Sequence, residues 1–249
     1  MDKVKFKIKS PDNFVKVLSR FYSIDKDILL EVTPTTLISK LSSPDKSILK
    51  FSRIPLGDVL EAANFNTELR IPLYDSAKIG KVLKHFAPGE EIFLEVTVKD
   101  YDGYNAASGL TFSSEKLRIK VPTGDIELFK FIPADTLKKV VKSASEEKVV
   151  EFPFTKDLFE KASSLCDIDS DNDHLGIELK DSGELYLTGK SFEYKLDTIQ
   201  NGHTVKFKML NKFFASIDLE SSNFSLGHNR LVIKSTESET IVVIGNVNE

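Results

Sequence analysis

The alternation of apolar and polar residues over several short stretches is the feature that most constrains how this chain can fold. It is strictest in residues 3–9, 117–121, 184–188 and 204–208. Because successive side chains of a β-strand point to opposite faces of a sheet, each stretch predicts a strand with one buried face. The sequence therefore predicts antiparallel sheets that expose one face to water.

Four other segments repeat apolar residues with the 3.6-residue period of an amphipathic helix, and each directly follows a predicted strand. Ser10 and Thr155 are placed to cap the first and third of these segments. The predicted helices are residues 10–21, a segment from Asp75 or Ser76 to Pro88, residues 155–165 and residues 210–217. Short strands separated by turn residues follow each helix, so one unit of strand, helix and several strands occurs four times.

Two of these units precede Ile132 and two follow Val149, which divides the chain into two similar halves. A length of 249 residues suits two domains of about 125 residues each. We expect an α+β fold that is mainly antiparallel β, with two helices packed on the sheets of each half. The expected boundaries are an N-terminal domain at 1–132, a connector at 133–148 and a C-terminal domain at 149–249. The connector is either an ordinary surface linker with a helical turn or a segment that forms one wall of a partner-binding groove.

The composition excludes several classes of protein. A net charge of −4 argues against a generic polyanion binder, so any nucleic-acid binding must use a local basic face. The single cysteine, Cys166, forms no internal disulfide and supplies too few thiolates for a Cys-based zinc site. No apolar run reaches the roughly 18 residues that a bilayer span needs. We therefore expect an intracellular protein without a membrane partner, in the host cytoplasm if its source is viral.

Three segments of the second half are similar to the DNA sliding clamps, most specifically those of T-even bacteriophages, which share the fold of the proliferating cell nuclear antigen. They are residues 152–158, 175–189 and 205–209. The first half matches through the order and length of its elements, including residues 126–135, whereas residues 99–114 look longer than the usual hairpin. The resemblance implies a clamp-fold subunit of a homotrimeric ring that encircles duplex DNA without sequence specificity. Such a ring tethers a DNA polymerase as a processivity factor and is placed on DNA by a clamp loader.

A clamp needs mobile cations that contact phosphates and no side chains that read base edges. On the first predicted helix Lys16 and Arg20 lie four residues apart, opposite the apolar stripe. Similar rows occur on the second helix, and weaker ones on the third and fourth. Each row taken alone is also consistent with an ordinary solvated helix face. The candidate DNA-binding residues are Lys16, Arg20, Lys78, Lys81, Lys84, His85, Lys156, Lys161, Lys208 and Lys212.

The resemblance also implies a groove beside the connector, in which short polymerase or clamp-loader peptides insert apolar side chains. The candidate partner-binding residues are Leu137, Val140, Val141, Ile244 and Val247. The alternative is that these residues only pack the connector against the second domain. Ring closure in the family joins edge strands of neighbouring subunits, and the expected edges here are 126–131 and 192–199. The alternative is that these edges stay exposed in a monomer.

No arrangement of residues predicts catalysis, a cofactor or a resident metal. Five acidic residues between Asp167 and Glu178 match calcium-loop positions, but Asn172 replaces the required glycine and a strand follows where an EF-hand needs a helix. Gly189-Lys190-Ser191 lacks both the upstream glycine spacing and the following helix of a phosphate loop. Nothing in the sequence orients Cys166 with a histidine as nucleophile and base. The leading hypothesis is a non-enzymatic clamp, and the alternative is a monomeric β-rich structural or interaction protein of a virus; an enzyme ranks third.

Overall fold

A computed structural model describes residues 2–22, 24–62, 65–129, 131–169, 173–199, 202–214, 217 and 221–247. The chain divides into two compact units. The first comprises Met1–Leu41 and Phe51–Phe131, and the second comprises Ser42–Lys50 and Ile132–Glu249. The domain boundaries expected from the sequence stay a prediction. None of the described helices is both long and apolar enough to span a membrane.

The first unit contains antiparallel strands and two α-helices. Its strands are β1 (Asp2–Ile8), β2 (Ile28–Val32), β3 (Thr36–Ser42), β4 (Ile48–Pro55), β5 (Leu60–Ala62), β6 (Leu69–Leu73), β7 (Ile92–Tyr101), β8 (Tyr104–Ser113) and β9 (Arg118–Val121). Its α-helices are α1 (Pro11–Tyr22) and α2 (Ala77–Leu83), and short 3-10 helices lie at Leu56–Asp58 and Ile126–Leu128. The strands are ordered β4-β3-β2-β6-β8-β7-β1-β5, and β9 pairs with β8.

Strand β1 has one buried face and one exposed face, as its alternation of apolar and polar residues predicted. Phe6 and Ile8 lie in the core, opposite Leu94 and Ile92 of β7, whereas Lys5 and Lys7, which alternate with them, point away from the core. The only parallel pairing of the first unit's described strands joins Arg70 on β6 to Ala106 on β8. Strand polarity in this unit is therefore mainly antiparallel.

Residues 99–114, which look long for a clamp hairpin, continue a regular pairing between β7 and β8. The turn residues Asp102 and Gly103 have φ angles of 47° and 86°. Positive φ at both central positions matches the twist of a two-residue hairpin, and Asp-Gly is a favoured sequence for it. The rings of Tyr101 and Tyr104 flank the turn with centroids 6.2 Å apart. The extra length therefore extends the sheet.

The second unit has the same type of construction. Its helices are α3 (Ala134–Glu146), α4 (Lys156–Ile168) and α5 (Asn211–Phe214). Its strands are β10 (Lys148–Phe154), β11 (His174–Leu179), β12 (Glu184–Thr188), β13 (Glu193–Thr198), β14 (Val205–Leu210), β15 (Ser222–Gly227), β16 (Arg230–Ser235) and β17 (Glu239–Gly245). One sheet has the order β10-β15-β16-β17 with residues 48–50 of β4 beside β17, and the other has the order β13-β12-β11-β14.

Aromatic packing fills the core of the second unit. The rings of Phe154 on β10 and Phe224 on β15 stack with centroids 4.5 Å apart. Phe159 of α4 packs edge-on against Phe154 at 4.6 Å. Such pairs add about 0.5–1.5 kcal/mol each beyond the area that they bury. These ring contacts hold α4 against β10, the strand that precedes it in the sequence.

The predicted α+β fold with two similar halves is confirmed. In each unit a strand leads into a helix, further strands lead into a second helix, and three strands follow that helix. The first unit has this pattern from β1 to β9 and the second has it from β10 to β17. This repetition of the unit of strand, helix and strands agrees with the sequence prediction.

Several element predictions need correction. Within the expected connector 133–148, residues Ala134–Glu146 form a 13-residue helix, α3, in place of a linker with one helical turn. Residues 126–128 form a 3-10 helix and not part of an edge strand, because Asp125 accepts a hydrogen bond from the backbone amide of Glu127 and starts a turn. Helix α2 ends at Leu83, well before Pro88. The α-helical residues in 210–217 are Asn211–Phe214, and residues 215 and 216 lie outside the described residues.

Candidate nucleic-acid interface

Helix α1 presents a row of cations because its apolar residues recur every three to four positions. Phe14, Leu18 and Phe21 are buried, and burial of each stabilises the fold by roughly 1.5–3 kcal/mol. The hydroxyl of Ser10 accepts a hydrogen bond of 3.2 Å from the amide of Asn13, which confirms the predicted cap. Lys16 is exposed and Arg20 is partly exposed.

Helix α2 continues this basic surface within the same unit. Ile79 and Leu83 are buried, while Lys78, Lys81, Lys84 and His85 are exposed. The ammonium group of Lys78 lies 3.6 Å from a carboxylate oxygen of Asp75. A surface ion pair of this kind contributes about 0–1 kcal/mol, so Lys78 remains able to contact a phosphate.

The two helices of the first unit pack closely against each other. A Cβ atom added at Gly80 of α2 would lie 3.4 Å from Cγ1 of Val15 on α1. A groove of about 910 Å³ runs beside this contact, with four lysines and three carboxylates among its lining residues. The groove itself is therefore close to neutral. Positive charge is concentrated on the exposed helix faces: Lys16 and Arg20 lie on α1, Lys78 and Lys81 lie on α2, and Lys84 and His85 directly follow α2.

Helix α4 is a weaker candidate for contact with DNA. The hydroxyl of Thr155 accepts a hydrogen bond of 3.3 Å from the amide of Leu158, which confirms the predicted cap. Lys156 and Lys161 are both exposed. The ammonium group of Lys156 lies 3.9 Å from Glu160, and Asp157 lies in the first turn. The lysines of α4 are thus partly balanced by carboxylates of the same helix.

Lys208 and Lys212 are not on one helix, contrary to the sequence prediction. Lys208 belongs to β14, because the alternation of 204–208 continues as a strand to Leu210. Lys212 is exposed on the short helix α5. Its positive charge contributes to lowering the pKa of Asp45 to about 2, after larger contributions from hydrogen bonds donated by Ser43 and Ser47.

The candidate partner-binding residues fall into three separate environments. Val140 and Val141 of α3 pack against a small cluster formed by Ala144, Val232 and Val243. Ile244 is fully buried within its sheet. Val247 lies beside β14, where its amide donates a 2.8 Å hydrogen bond to the carbonyl oxygen of Lys208. Val140 and Val141 are therefore partly buried against β16 and β17, and their role in binding a partner stays a prediction.

The strand edges expected to close a ring are only partly present. Strand β13 is the first strand of its four-stranded sheet, so one of its edges is unpaired by any described strand. It lies within the expected edge 192–199. The other expected edge, 126–131, begins with the 3-10 helix. Strand β9 pairs with β8 along one side only, as far as the described residues extend, and it provides one unpaired edge of the first unit, while β5 lies at the end of the same sheet.

The lysines of β1 were not among the basic residues predicted to bind DNA, although the alternation of residues 3–9 contains them. Lys3, Lys5 and Lys7 point away from the core because they alternate with Val4 and Phe6 in β1. Glu95 pairs with Lys3 at 2.9 Å, and Glu91 pairs with Lys7. The ammonium group of Lys5 lies 4.0 Å from the ring centroid of Phe93. The alternation that predicted β1 contained the signal for this lysine row, because it places Lys3, Lys5 and Lys7 on one face of the strand.

Cys166 and the acidic residues that follow it were weighed for thiol and metal chemistry. Among the described residues, no three histidine, cysteine, aspartate or glutamate side chains are grouped to hold a metal ion. Asp169 accepts a 3.0 Å hydrogen bond from the amide of Ser191, which is a structural contact; Asp171 lies outside the described residues. Burial, together with the nearby carboxylates of Asp167 and Asp169, raises the pKa of Cys166 to about 11. A thiol with this pKa is a poor nucleophile near neutral pH.

Comparison with known proteins identifies the fold. No family model and no curated protein matches the sequence. Solved structures match over nearly the whole chain. PCNA of A. fulgidus, in a structure with the C-terminal region of FEN-1, has a TM-score of 0.65 at 14% identity and covers 99% of both chains. PCNA of Entamoeba histolytica has a TM-score of 0.67 at 14% identity, with 98% of this chain and 99% of that chain covered.

A third match is the PCNA2-PCNA3 complex of Sulfolobus tokodaii, with a TM-score of 0.66, 14% identity and 100% coverage of both chains. Identities this low show the fold alone. The chain therefore has the fold of the DNA sliding clamps, with two similar units of mainly antiparallel β structure.

Proposed function

We propose that this protein is a sliding clamp that encircles duplex DNA and tethers a DNA polymerase as a processivity factor. The observation that most supports the proposal is the likeness to clamp subunits over 99% of the chain, in a chain that also presents cations on adjacent helices. We infer that the protein is most like the clamps of T-even bacteriophages, that it acts inside the cell, and that it has no catalytic activity.

In this proposal the helix cations contact phosphates of either strand without reading bases. Lysine side chains suit this role because each is a mobile point charge on a flexible stem. The main contributors are the exposed cations of α1 and α2, with smaller contributions from Lys156, Lys161 and Lys212 of the second unit. Because the whole chain has a net charge of −4, only this local basic surface should attract DNA. Binding should therefore be weak, independent of sequence and strongly dependent on salt.

Ring closure in this proposal uses the unpaired edges of β9 and β13. Each edge has free backbone groups that another chain can pair with. Arg118 and Lys120 are exposed on β9, whereas β13 exposes two carboxylates, Glu193 and Asp197, and one lysine, Lys195. Contact between β9 of one subunit and β13 of the next would bring opposite charges together. Three copies joined in this way form a homotrimer with six units.

The partner surface in this proposal includes helix α3 and the end of the chain. We assign to it Leu137, Val140 and Val141 of α3, together with Ile244 and Val247 of the C-terminal stretch. The A. fulgidus PCNA is seen with the C-terminal region of FEN-1. By analogy, short segments of a DNA polymerase and of a clamp loader are the partners proposed here.

The experiment that tests DNA contact compares two charge-reversal variants. One replaces Lys16, Arg20, Lys78 and Lys81 with glutamate. The control replaces Lys116, Lys138, Lys142 and Lys234, which are all exposed and lie outside α1, α2, α4 and α5. Both variants have the same net charge, so a difference between their affinities for DNA depends on where the reversed charges lie.

The readout is fluorescence anisotropy of two labelled duplexes of unrelated sequence, measured over a range of salt concentrations. Wild type should bind both duplexes equally, and its affinity should fall steeply as salt rises. Loss of four phosphate contacts should weaken binding by at least about tenfold in the helix variant, while the control retains most of the affinity. Equal loss in both variants would show that only net charge matters and would contradict the assignment to α1 and α2.

A further inference from the structure

Strand β1 has a neighbouring strand along only part of one edge. On one side all seven of its residues pair with β7. On the other side the short strand β5 pairs with Phe6, Lys7 and Ile8 alone. No described strand pairs with residues 2–5 on that side, and residues 63 and 64, which follow β5, lie outside the described residues. Within the described chain, residues 2–5 therefore form an open edge of β1.

The backbone groups of Lys3 and Lys5 point outwards from this open edge. Successive residues of an antiparallel strand direct their amide and carbonyl groups to alternate sides. The amide of Lys9 donates a 3.0 Å hydrogen bond to the carbonyl oxygen of Val59, which is on the β5 side. Lys3, Lys5 and Lys7 are each an even number of residues from Lys9, so their backbone groups point to that side as well. Such groups are a template on which another strand can pair.

A pocket of about 620 Å³ lies along the open edge. Its lining includes Lys3, Val4, Lys5, Phe65, Asn66 and Thr67. A volume of this size suits a few side chains. The structure therefore has room beside β1 for a short extended segment.

The two faces of β1 differ in chemistry at the open edge. Val4 shares a face with the buried Phe6, and the ring of Phe65 packs edge-on against Phe6 with centroids 5.3 Å apart. Val4 and Phe65 are each only partly buried against the core. Lys3 and Lys5 are exposed on the opposite face. A strand added here would meet apolar side chains on one face and lysines on the other.

Carboxylates balance the lysine of β1 that lies beside β5. Lys7 forms an ion pair with Glu91 of β7 and lies opposite Glu61 of β5. The hydrogen bond to Glu91 raises the pKa of Lys7, and the charge of Glu61 adds a smaller increase. An acidic partner therefore gains little at Lys7.

Positive charge is in excess at the open edge itself. One carboxylate, that of Glu95, lies 2.9 Å from the ammonium group of Lys3 and 3.2 Å from the guanidinium group of Arg118. The hydrogen bond from Lys3 lowers the pKa of Glu95, and the charges of Arg118 and Lys5 lower it further. Three cations thus share one carboxylate. Because like charges repel when strands pair, these lysines oppose pairing with the same edge of a second copy and favour an acidic strand.

We propose that the open edge of β1 binds an extended segment of a partner protein in which acidic residues alternate with apolar ones. The segment runs antiparallel to β1, as β5 does, and continues the row of β5 beyond Ala62. Its acidic side chains lie opposite Lys3 and Lys5, and its apolar side chains cover Val4 and Phe65. Backbone hydrogen bonds supply affinity, and the alternation of side chains supplies specificity. The proposal adds to the proposed function and does not depend on it, because none of these residues belongs to α1, α2 or α3.

The test uses fluorescein-labelled peptides whose binding is followed by fluorescence anisotropy at low salt. The probe is a peptide of alternating glutamate and valine. Its control has the same composition, with all glutamates placed before all valines. We expect wild type to bind the alternating peptide at least about tenfold more tightly, because only this peptide pairs with β1 while directing its carboxylates to the lysine face.

Methylation of the peptide backbone separates strand pairing from simple attraction of charge. In the proposed register, the glutamates opposite Lys3 and Lys5 exchange backbone hydrogen bonds with them, whereas the valine amides point away from β1. N-methylation of the glutamates should therefore weaken binding by at least about tenfold. N-methylation of the valines is the matched control and should leave the affinity within about threefold.

Two double variants of the protein test the lysines. Lys3→Gln with Lys5→Gln should weaken binding of the alternating peptide by at least about fivefold. Lys116→Gln with Lys234→Gln removes two exposed charges outside β1 and should leave binding within about twofold of wild type. Exposed ion pairs contribute little to stability, so both variants should fold, which circular dichroism checks.

Three results would overturn the inference. Equal loss from the two methylated peptides would show that no strand is added, and equal loss in the two double variants would show that only net charge matters. A molar mass that falls in the Lys3 and Lys5 variant would assign the open edge to a second copy of the chain. Charge reversal on α1 and α2 tests the proposed function separately, because it should weaken DNA binding and leave the preference for the alternating peptide intact.

Discussion

Gly80 of α2 faces Val15 of α1 so closely that an added Cβ atom would lie 3.4 Å from Cγ1 of Val15. This spacing leaves room for one methyl group in van der Waals contact and for nothing larger. Gly80→Ala should therefore stabilise the protein by about 0.5–1 kcal/mol, because alanine favours the helix and restricts the unfolded chain. Gly80→Leu should instead destabilise it by about 1–3 kcal/mol through overpacking.

Urea unfolding followed by circular dichroism measures both effects. Lys81→Leu is the matched control, because Lys81 is exposed on the same helix and its replacement adds no bulk to the contact. Its unfolding midpoint should stay close to that of wild type. A Gly80→Leu protein as stable as wild type would show that the two helices are not in close contact.

Helix α3 is held to its sheet mainly by a small apolar contact. Ala144 is 1% exposed and packs with Val232 of β16 and Val243 of β17. Ala144→Glu should release the helix, because burying an unpaired carboxylate costs several kcal/mol. We expect faster amide hydrogen exchange across residues 137–146, with exchange in β16 little changed.

Lys142→Ala serves as the control for this variant, since Lys142 is exposed on the same helix. It should leave the exchange rates close to those of wild type. Unchanged protection of 137–146 in the Ala144→Glu protein would contradict the packing described for α3.

The sequence predicted the fold more completely than the site. Strict alternation was sufficient to predict β1, and the capping residues Ser10 and Thr155 correctly predicted where α1 and α4 begin. These predictions succeeded because both signals depend on residues that are close in the sequence. Residues 126–131 alternate like a strand, yet the local hydrogen bond to Asp125 produces a 3-10 turn. Short-range bonding of this kind competes with strand formation and is not visible in the alternation.

The role of α3 and the pocket beside β14 depend on contacts between distant residues. Val140, Val141 and Ala144 have helical spacing, but this spacing does not identify β16 and β17 as the strands on which they pack. A pocket of about 550 Å³ beside β14 is lined by Lys190, from the loop after β12, and by Lys206 and Lys208 of β14, which come together only because β12 and β14 both pair with β11. Positions of the candidate residues on individual helices were therefore predictable, whereas groupings across elements were not.

The turn at Asp45 gives a prediction about pH. Hydrogen bonds donated by Ser43 and Ser47 lower the pKa of Asp45 to about 2 from 3.8. Because the pKa is lower in the folded state, the ionised carboxylate stabilises the fold above pH 4, and this contribution is lost as pH falls towards 2. Asp45→Ala should therefore be destabilised at pH 7 by up to about 1 kcal/mol, a value reduced by the exposure of the site.

Thermal unfolding of wild type and Asp45→Ala between pH 7 and pH 2 checks this sign. The difference in stability should be constant above pH 5 and should shrink below pH 4. A difference that grows on acidification would mean that the carboxylate destabilises the turn.

The thiol of Cys166 should react slowly. Its pKa of about 11, raised by burial and by neighbouring carboxylates, leaves little thiolate at pH 8. We expect alkylation by iodoacetamide to be slower than that of a free cysteine by about two orders of magnitude, with a rate that keeps rising up to pH 10. The unfolded protein in guanidinium is the control and should react at the rate of free cysteine. Rapid modification of the folded protein with a plateau near pH 8 would contradict the raised pKa.

Molar mass in solution tests the central claim most directly, because a clamp of two units per chain has to assemble before it can surround DNA. Light scattering over a dilution series should show a species near three times the 27.9 kDa subunit that dissociates at low concentration. That result would agree with a homotrimer joined through strand edges. A 27.9 kDa monomer at every concentration would contradict a self-assembled homotrimeric ring and would favour a monomeric β-rich interaction protein.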